Sequence, residues 1–227
     1  MKRFFALLLL LAGCGQPLAP QVPPSPGSTA KLDSYRAAPG AAVYAVDPGA
    51  SLVAVTVRRA GLMARLGHDH VVASRTLAGY VAPDAGRADL TFRTDQMTVD
   101  EPQLLRDAGI ATRPSPQAVS GTRENMLGPV LEAQRYPMVT LHAERTADGR
   151  LRATVTLHGI TRRLELAAKI EVDPAQVTAS GTARLKQSDF GITPFSVGGG
   201  LLSVQDELEV RYHIVARRPS PHASTGC

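Results

Sequence analysis

A chain of 227 residues, 44% hydrophobic and 20% charged, has enough apolar material for one substantial core plus a tail. Its formal net charge is +5, partly from Lys2 and Arg3, and the basic pairs Arg58-Arg59, Arg162-Arg163 and Arg217-Arg218 are scattered along the chain. With no Trp and 4% aromatics, it lacks the clustered basic footprint and stacking residues of a nucleic-acid interface, so no nucleic-acid partner is expected.

Lys2 and Arg3 precede a short apolar run, Phe4 to Leu11, too short for the roughly twenty residues of a mature spanning helix. Leu11-Ala12-Gly13-Cys14 then reads as a bacterial lipobox. Residues 1–13 accordingly read as a lipoprotein signal peptide, to be removed and excluded from fold reasoning, with Cys14 expected as the acylated lipid anchor of the mature chain. Gly15 and Gln16 lack the aspartate that retains some lipoproteins at the inner membrane, which favours the outer membrane and the periplasmic side of the cell envelope. With Cys14 acylated, Cys227 has no partner and no disulfide framework can be drawn.

Residues 14–42 hold the anchor and a tether rich in Pro, Ala, Gly and Ser, which cannot build a core. At about 3.1 Å per residue in polyproline II form, such a tether reaches up to roughly 80 Å. A globular domain is expected over 43–218 and a disordered tail over 219–227.

Within the domain, period-two alternation marks strands with one apolar face. Val53, Val55 and Val57 alternate with Leu52, Ala54, Thr56 and Arg58; Leu151, Ala153, Val155 and Leu157 form a second set. Leu164, Leu166, Ala168, Ile170 and Val172 give a third, and Leu208, Val210, Tyr212 and Ile214 a fourth. Ala147-Asp148-Gly149 and His158-Gly159 are turn signals. Asp100 to Ala108 carries a turn of helix, and Ser120 to Gln134 reads as a helix capped by Ser120 and broken or kinked at Pro129. Antiparallel strands with one apolar face each must close on a common interior, as a barrel or sandwich.

Val46-Asp47, Tyr136-Pro137, Leu157-His158-Gly159-Ile160-Thr161 and Asp189-Phe190-Gly191-Ile192 occur in an order and spacing that resemble the YceI-like family of exported, lipocalin-like, polyisoprenoid-binding proteins. Gly67-His68-Asp69-His70 looks like a variant from one branch of it, and the resemblance covers about residues 43–216. It implies an all-β fold, an eight-stranded antiparallel lipocalin-like barrel with a short helical insertion and an elongated apolar lumen. It further implies a membrane-anchored periplasmic protein that sequesters or carries an isoprenoid-type lipid, without catalytic residues and with no cofactor beyond the bound polyisoprenoid. The chain departs from the family in its low aromatic content, which makes the lumen more aliphatic, and in Arg162-Arg163, where lysine and proline are common.

The expected ligand-contacting residues are Val53, Val55, Val57, Val155, Leu157, Leu166, Ile170, Leu208, Val210 and Tyr212, joined by His68 and His70. Two histidines at i and i+2 share a strand face, so His68 and His70 also suggest a metal site, with His142 and His158 as further donors. Against it, zinc sites usually take at least three protein ligands, and a polar strand mouth accounts for the same pair. A ligand-free envelope stress protein is the third reading, and a homodimer is left open. No Gly-x-Ser-x-Gly elbow or phosphate loop appears, so no enzyme is expected. Intact-mass analysis of membrane-extracted protein is expected to show residues 1–13 absent and acyl mass on Cys14, and Cys14→Ser to abolish that added mass.

Overall fold

The computed structural model describes Tyr35 and residues 42–218. The expected signal peptide, Cys14, most of the expected tether and the expected tail with Cys227 lie outside the described residues. The N-terminal strands are β1 (Tyr44–Val46), β2 (Leu52–Val57), β3 (Arg59–Ala60), β4 (His70–Ser74), β5 (Ala78–Ala82), β6 (Arg87–Arg93) and β7 (Thr98–Val99). Two helices follow, α1 (Pro102–Asp107) and α2 (Pro116–Asn125), the second prolonged by a π-helical turn, Met126–Val130. The chain then returns to strands: β8 (Met138–Arg145), β9 (Leu151–Leu157), β10 (Ile160–Leu166), β11 (Ala168–Val172), β12 (Gln176–Lys186), β13 (Ser196–Val197), β14 (Leu202–Val204) and β15 (Glu207–Arg217).

All ladders are antiparallel. A twelve-stranded sheet runs β10-β9-β8-β6-β5-β1-β15-β2-β4-β7, with β12 joined to β15 and β11 to β12; β13, β14 and β3 form a separate three-stranded sheet. The hydrogen-bonded path is therefore longer than the eight strands expected and is not a closed ring. Part of the difference is that long strands are cut into segments. The continuous strand expected over 164–172 divides into β10 and β11, with only Ala167 between them. There Tyr212 Oη donates to the Ala167 carbonyl at 3.2 Å, so a group left without a ladder partner is still satisfied.

The turns follow the residues. His158 and Gly159 both have positive φ (53° and 73°), as a two-residue hairpin linking the Leu157–Ile160 pair requires. Thr146 to Arg150 makes the longer β8–β9 connection. The second helix starts earlier than expected: Ser115 Oγ accepts from Ala118 N at 3.2 Å, and Pro116 stands at the first helical position. Proline at that position loses no intrahelical bond and arrives with a helical φ, which makes Ser115-Pro116 a stronger start than Ser120. The α-helix ends at Asn125, and a wider turn, Met126–Val130, takes Pro129 in, with Leu131 N bonding Met126 O at 2.9 Å.

Strand β2 buries both of its faces. Ala54 packs in a cluster with Val71, Ala73, Leu104, Leu105 and Ile110, because α1 covers the outer side of β2 and β4, where alternation alone predicts a solvated face. A second cluster centres on Phe190 and Ile192 with Val139, Ala153, Val155 and Leu166. Phe190 is fully buried. Phe190→Ala is expected to cost about 3–5 kcal/mol, read as a lower midpoint in urea unfolding at unchanged slope.

Candidate functional site

The inward faces of the main sheet enclose a cavity of about 390 Å³. Strand period two builds it: Val53, Val55 and Val57 come from β2, and Leu208, Val210, Tyr212 and Ile214 from β15. Cross-strand pairs carry the same wall around the sheet. Val55 faces Val210, Leu90 faces Leu141, and Leu141 faces Val155. Leu157, Leu164, Leu166, Ile170, Val177, Ala179, Ala183 and Leu185 continue it through β9 to β12. Met126, Val130 and Leu131 add to the lining from the helical insertion. Polar groups are few; among them are His70, Thr122, Asn125, Gln187, Arg87 and Arg145.

All ten apolar and aromatic positions singled out from sequence line this cavity, and so does His70; His68 does not. Sequence reasoning missed Leu90, Phe92, Val139 and Leu141, although each alternates with polar neighbours (Asp89, Thr91, Thr140, His142) and was open to the same period-two argument. The helical contributors and Met97 carry no such signal, because tertiary placement of an insertion is not written in local periodicity.

Tyr212 sits opposite Gly181. A Cβ on Gly181 would stand 2.6 Å from both Tyr212 Oη and the Ala167 carbonyl, so the glycine opens the space that the ring occupies. Burial pushes the Tyr212 phenol up, keeping it a neutral hydrogen-bond donor.

The histidines do not converge. His68 is exposed, and its ring centroid lies 6.4 Å from that of His70 in an edge-on arrangement. His70 Nδ1 is 2.7 Å from Asp100 Oδ2, and the other Asp100 oxygen accepts from Val71 N at 2.9 Å. Asp69 turns away toward Arg58 and Arg59; burial raises its pKa, but the Arg59 N–H and the Arg58 guanidinium outweigh that and hold it low. His142 pairs with Asp89 across the β6–β8 ladder, and His158 lies in the β9–β10 turn, 3.3 Å from Glu132 Oε1. Among the described residues, no group of three or more His, Cys, Asp or Glu is placed to hold a metal ion. His70 therefore reads as the partner that satisfies a buried carboxylate.

At the opposite end of β6 from the helical insertion, Tyr35 packs back onto the sheet. Its hydroxyl donates to Asp89 Oδ2 at 2.8 Å, and the Arg87 guanidinium lies 4.4 Å from its ring centroid. Burial, reinforced by Asp89, drives its phenol well above the usual range.

The YceI-like domain family matches residues 44–216. The chain belongs to this family. Two solved structures share the fold. A polyisoprenoid binding domain from Saccharophagus degradans, implicated in plant cell wall breakdown, aligns with a TM-score of 0.57 at 12% identity, over 79% of this chain and 99% of that one. Burkholderia cenocepacia BcnA aligns with a TM-score of 0.51 at 17% identity, over 75% of this chain and 99% of that one. No curated protein sequence matches the chain. His70→Ala is expected to destabilise the domain by about 1–3 kcal/mol, because it strands the Asp100 carboxylate. His68→Ala should stay within about 0.5 kcal/mol. Paired urea titrations of the two variants check the difference.

Proposed function

We propose that this YceI-like chain is a membrane-anchored, periplasmic lipid-binding protein that sequesters or carries an isoprenoid-type apolar lipid, and that it binds rather than catalyses. The observation that carries the reading is the cavity itself: about 390 Å³, within the usual ~300–1,000 Å³ of ligand sites, and walled chiefly by aliphatic side chains. Its chemistry suits a string of apolar carbons. At about 0.8 kcal/mol per buried CH₂, a dozen carbons contribute on the order of 10 kcal/mol before the costs of association. The binding named for the Saccharophagus domain is of the same class and supports the choice of lipid.

We read the sheet as an eight-stranded barrel with bent members. Joining β1 to β2, β4 to β5 and β10 to β11 across their breaks leaves eight long strands, the other five being β6, β8, β9, β12 and β15. In support, the β10/β11 strand then pairs with β9 on one side and β12 on the other. The lipobox at Cys14 supports anchoring at the envelope, and such an anchor would hold an apolar-lined cavity beside a source of apolar cargo.

Native mass spectrometry of the protein purified from its host is expected to show a co-purifying apolar lipid. Ala179→Phe combined with Ala183→Phe places two rings in the cavity. This double variant should lose the lipid while keeping the wild-type melting temperature, since an open cavity takes up volume that a filled core resists at about 1–3 kcal/mol. A lipid-free spectrum for the unaltered protein would sink the reading.

A further inference from the structure

Large hydrophobic side chains are exposed at six places among the described residues, and five of them share one location. Leu62, Met63 and Leu66 lie on the loop after β3, where Leu62 is 90% exposed; Val197 ends β13 and Leu201 lies on the turn that leads to β14. The two loops form one tip. Met63 N donates to Leu201 O at 2.8 Å, and β14 pairs with β3. Gly61 is required there: a Cβ on it would stand 2.5 Å from Leu201 O. Gly198, Gly199 and Gly200 all have positive φ, which holds the second loop in a shape that side chains disfavour.

The tip is continuous with the cavity. Val57, just before β3, and Phe195 and Val204, which flank the β13–β14 connection, all line the cavity wall. Neither 61–67 nor 195–204 contains an acidic residue, and Arg65 supplies a positive charge beside the apolar positions. We propose that this tip is a docking surface for a lipid bilayer, inserting Leu62, Leu66 and Leu201 among the acyl chains while Arg65 meets anionic headgroups. The proposal rests on the reading of the cavity as a lipid site and adds the route by which cargo passes between membrane and protein.

Three arguments favour a bilayer as the occupant. Bulky apolar residues beside a cation, with no acid in either loop and Asp69 at the tip's base already paired with Arg58 and Arg59, match the interfacial pattern of an apolar face and anionic-lipid attraction. Two loop tips present far less than the roughly 20–30 residues per side of a stable protein interface, which disfavours a second copy. The tether also permits the geometry. It ends on the sheet at Tyr35, and at about 3.1 Å per residue the stretch from Cys14 to Tyr35 reaches up to roughly 65 Å. The eleven-residue β15, which runs from the tip end to the far end, spans about 35 Å. An anchored domain can therefore present its tip to the membrane that holds Cys14.

The sequence contains no Trp, so one introduced indole reports its own surroundings. The probes are Leu62→Trp and, as a control at the other end of β15, Val172→Trp, since Val172 is also exposed and pairs with Val177 beside the Gln176–Arg217 pair. The full acylated chain is reconstituted in vesicles of equimolar phosphatidylethanolamine and phosphatidylglycerol carrying brominated acyl chains. The expected result is a blue shift and at least about twofold stronger quenching for Leu62→Trp than for Val172→Trp. Equal quenching of the two, or quenching of neither, overturns the docking surface. So does a blue shift of Leu62→Trp that rises with protein concentration before vesicles are added, which would assign the tip to a second copy. Native mass spectra of the same samples separate the two readings: lipid held without selective quenching removes only the docking surface, and an empty cavity with selective quenching retains the tip and removes the cargo.

Discussion

The antiparallel ladder between β12 and β15, unbroken from the Lys186–Glu207 pair to the Gln176–Arg217 pair, is the constraint on which the cavity depends. β12 alternates over its eleven residues and β15 from Glu207 to Ile214, so a one-residue slip would turn the apolar side chains of that stretch outward. On its other edge β15 binds β1 near Arg217 and β2 nearer Glu207, so one long strand sets the register of both halves of the N-terminal region. Ser51 secures the bend between those two. Its Oγ accepts from Val215 N at 3.0 Å and lies 3.2 Å from Val215 O, satisfying backbone groups where the ladder changes partner.

Around this spine, the two kinds of apolar residue have separate tasks. Small and fully buried ones, such as Ala54 under α1 and Ala153 beside Phe190, close the protein where layers meet. Larger, half-buried ones face the cavity and are left with neighbours on one side only. A fold that leaves Val53, Val55, Leu157 and Leu208 in this condition forgoes part of their dispersion contacts, and the dense Phe190 and Leu104 clusters supply stability in its place.

Much of this was legible in the sequence where local pattern and global role coincide. Alternation in 52–57, 151–157 and 207–214 names both the strand and its inward face, because a side chain's direction in a sheet follows from its parity. It failed where tertiary contacts decide. The break at Ala167 depends on Tyr212 reaching a carbonyl from β15, 45 residues away. The cap of α2 is Ser115, not Ser120, because a serine followed by proline is the stronger signal. His68 and His70 share a strand parity on paper, but β4 begins only at His70, so the parity argument does not extend to His68. The role of Asp100 as the partner of His70 needed a contact across 30 positions and had no local signature.

The aliphatic wall has a consequence for selectivity. Apart from the rings of Phe92, Phe195 and Tyr212 and a few polar groups, the wall offers neither ring faces nor directional donors, so most of the surface responds to bulk and length rather than to a chemical tag. Each additional methylene alters affinity by an increment, about 1–3 kcal/mol at most for one group, whereas a hydroxyl forced against it goes without a partner. A wall of this composition would rank hydrocarbon chains on a sliding scale, and an added hydroxyl, penalised by only about a hundredfold, would shift a chain along that scale rather than exclude it.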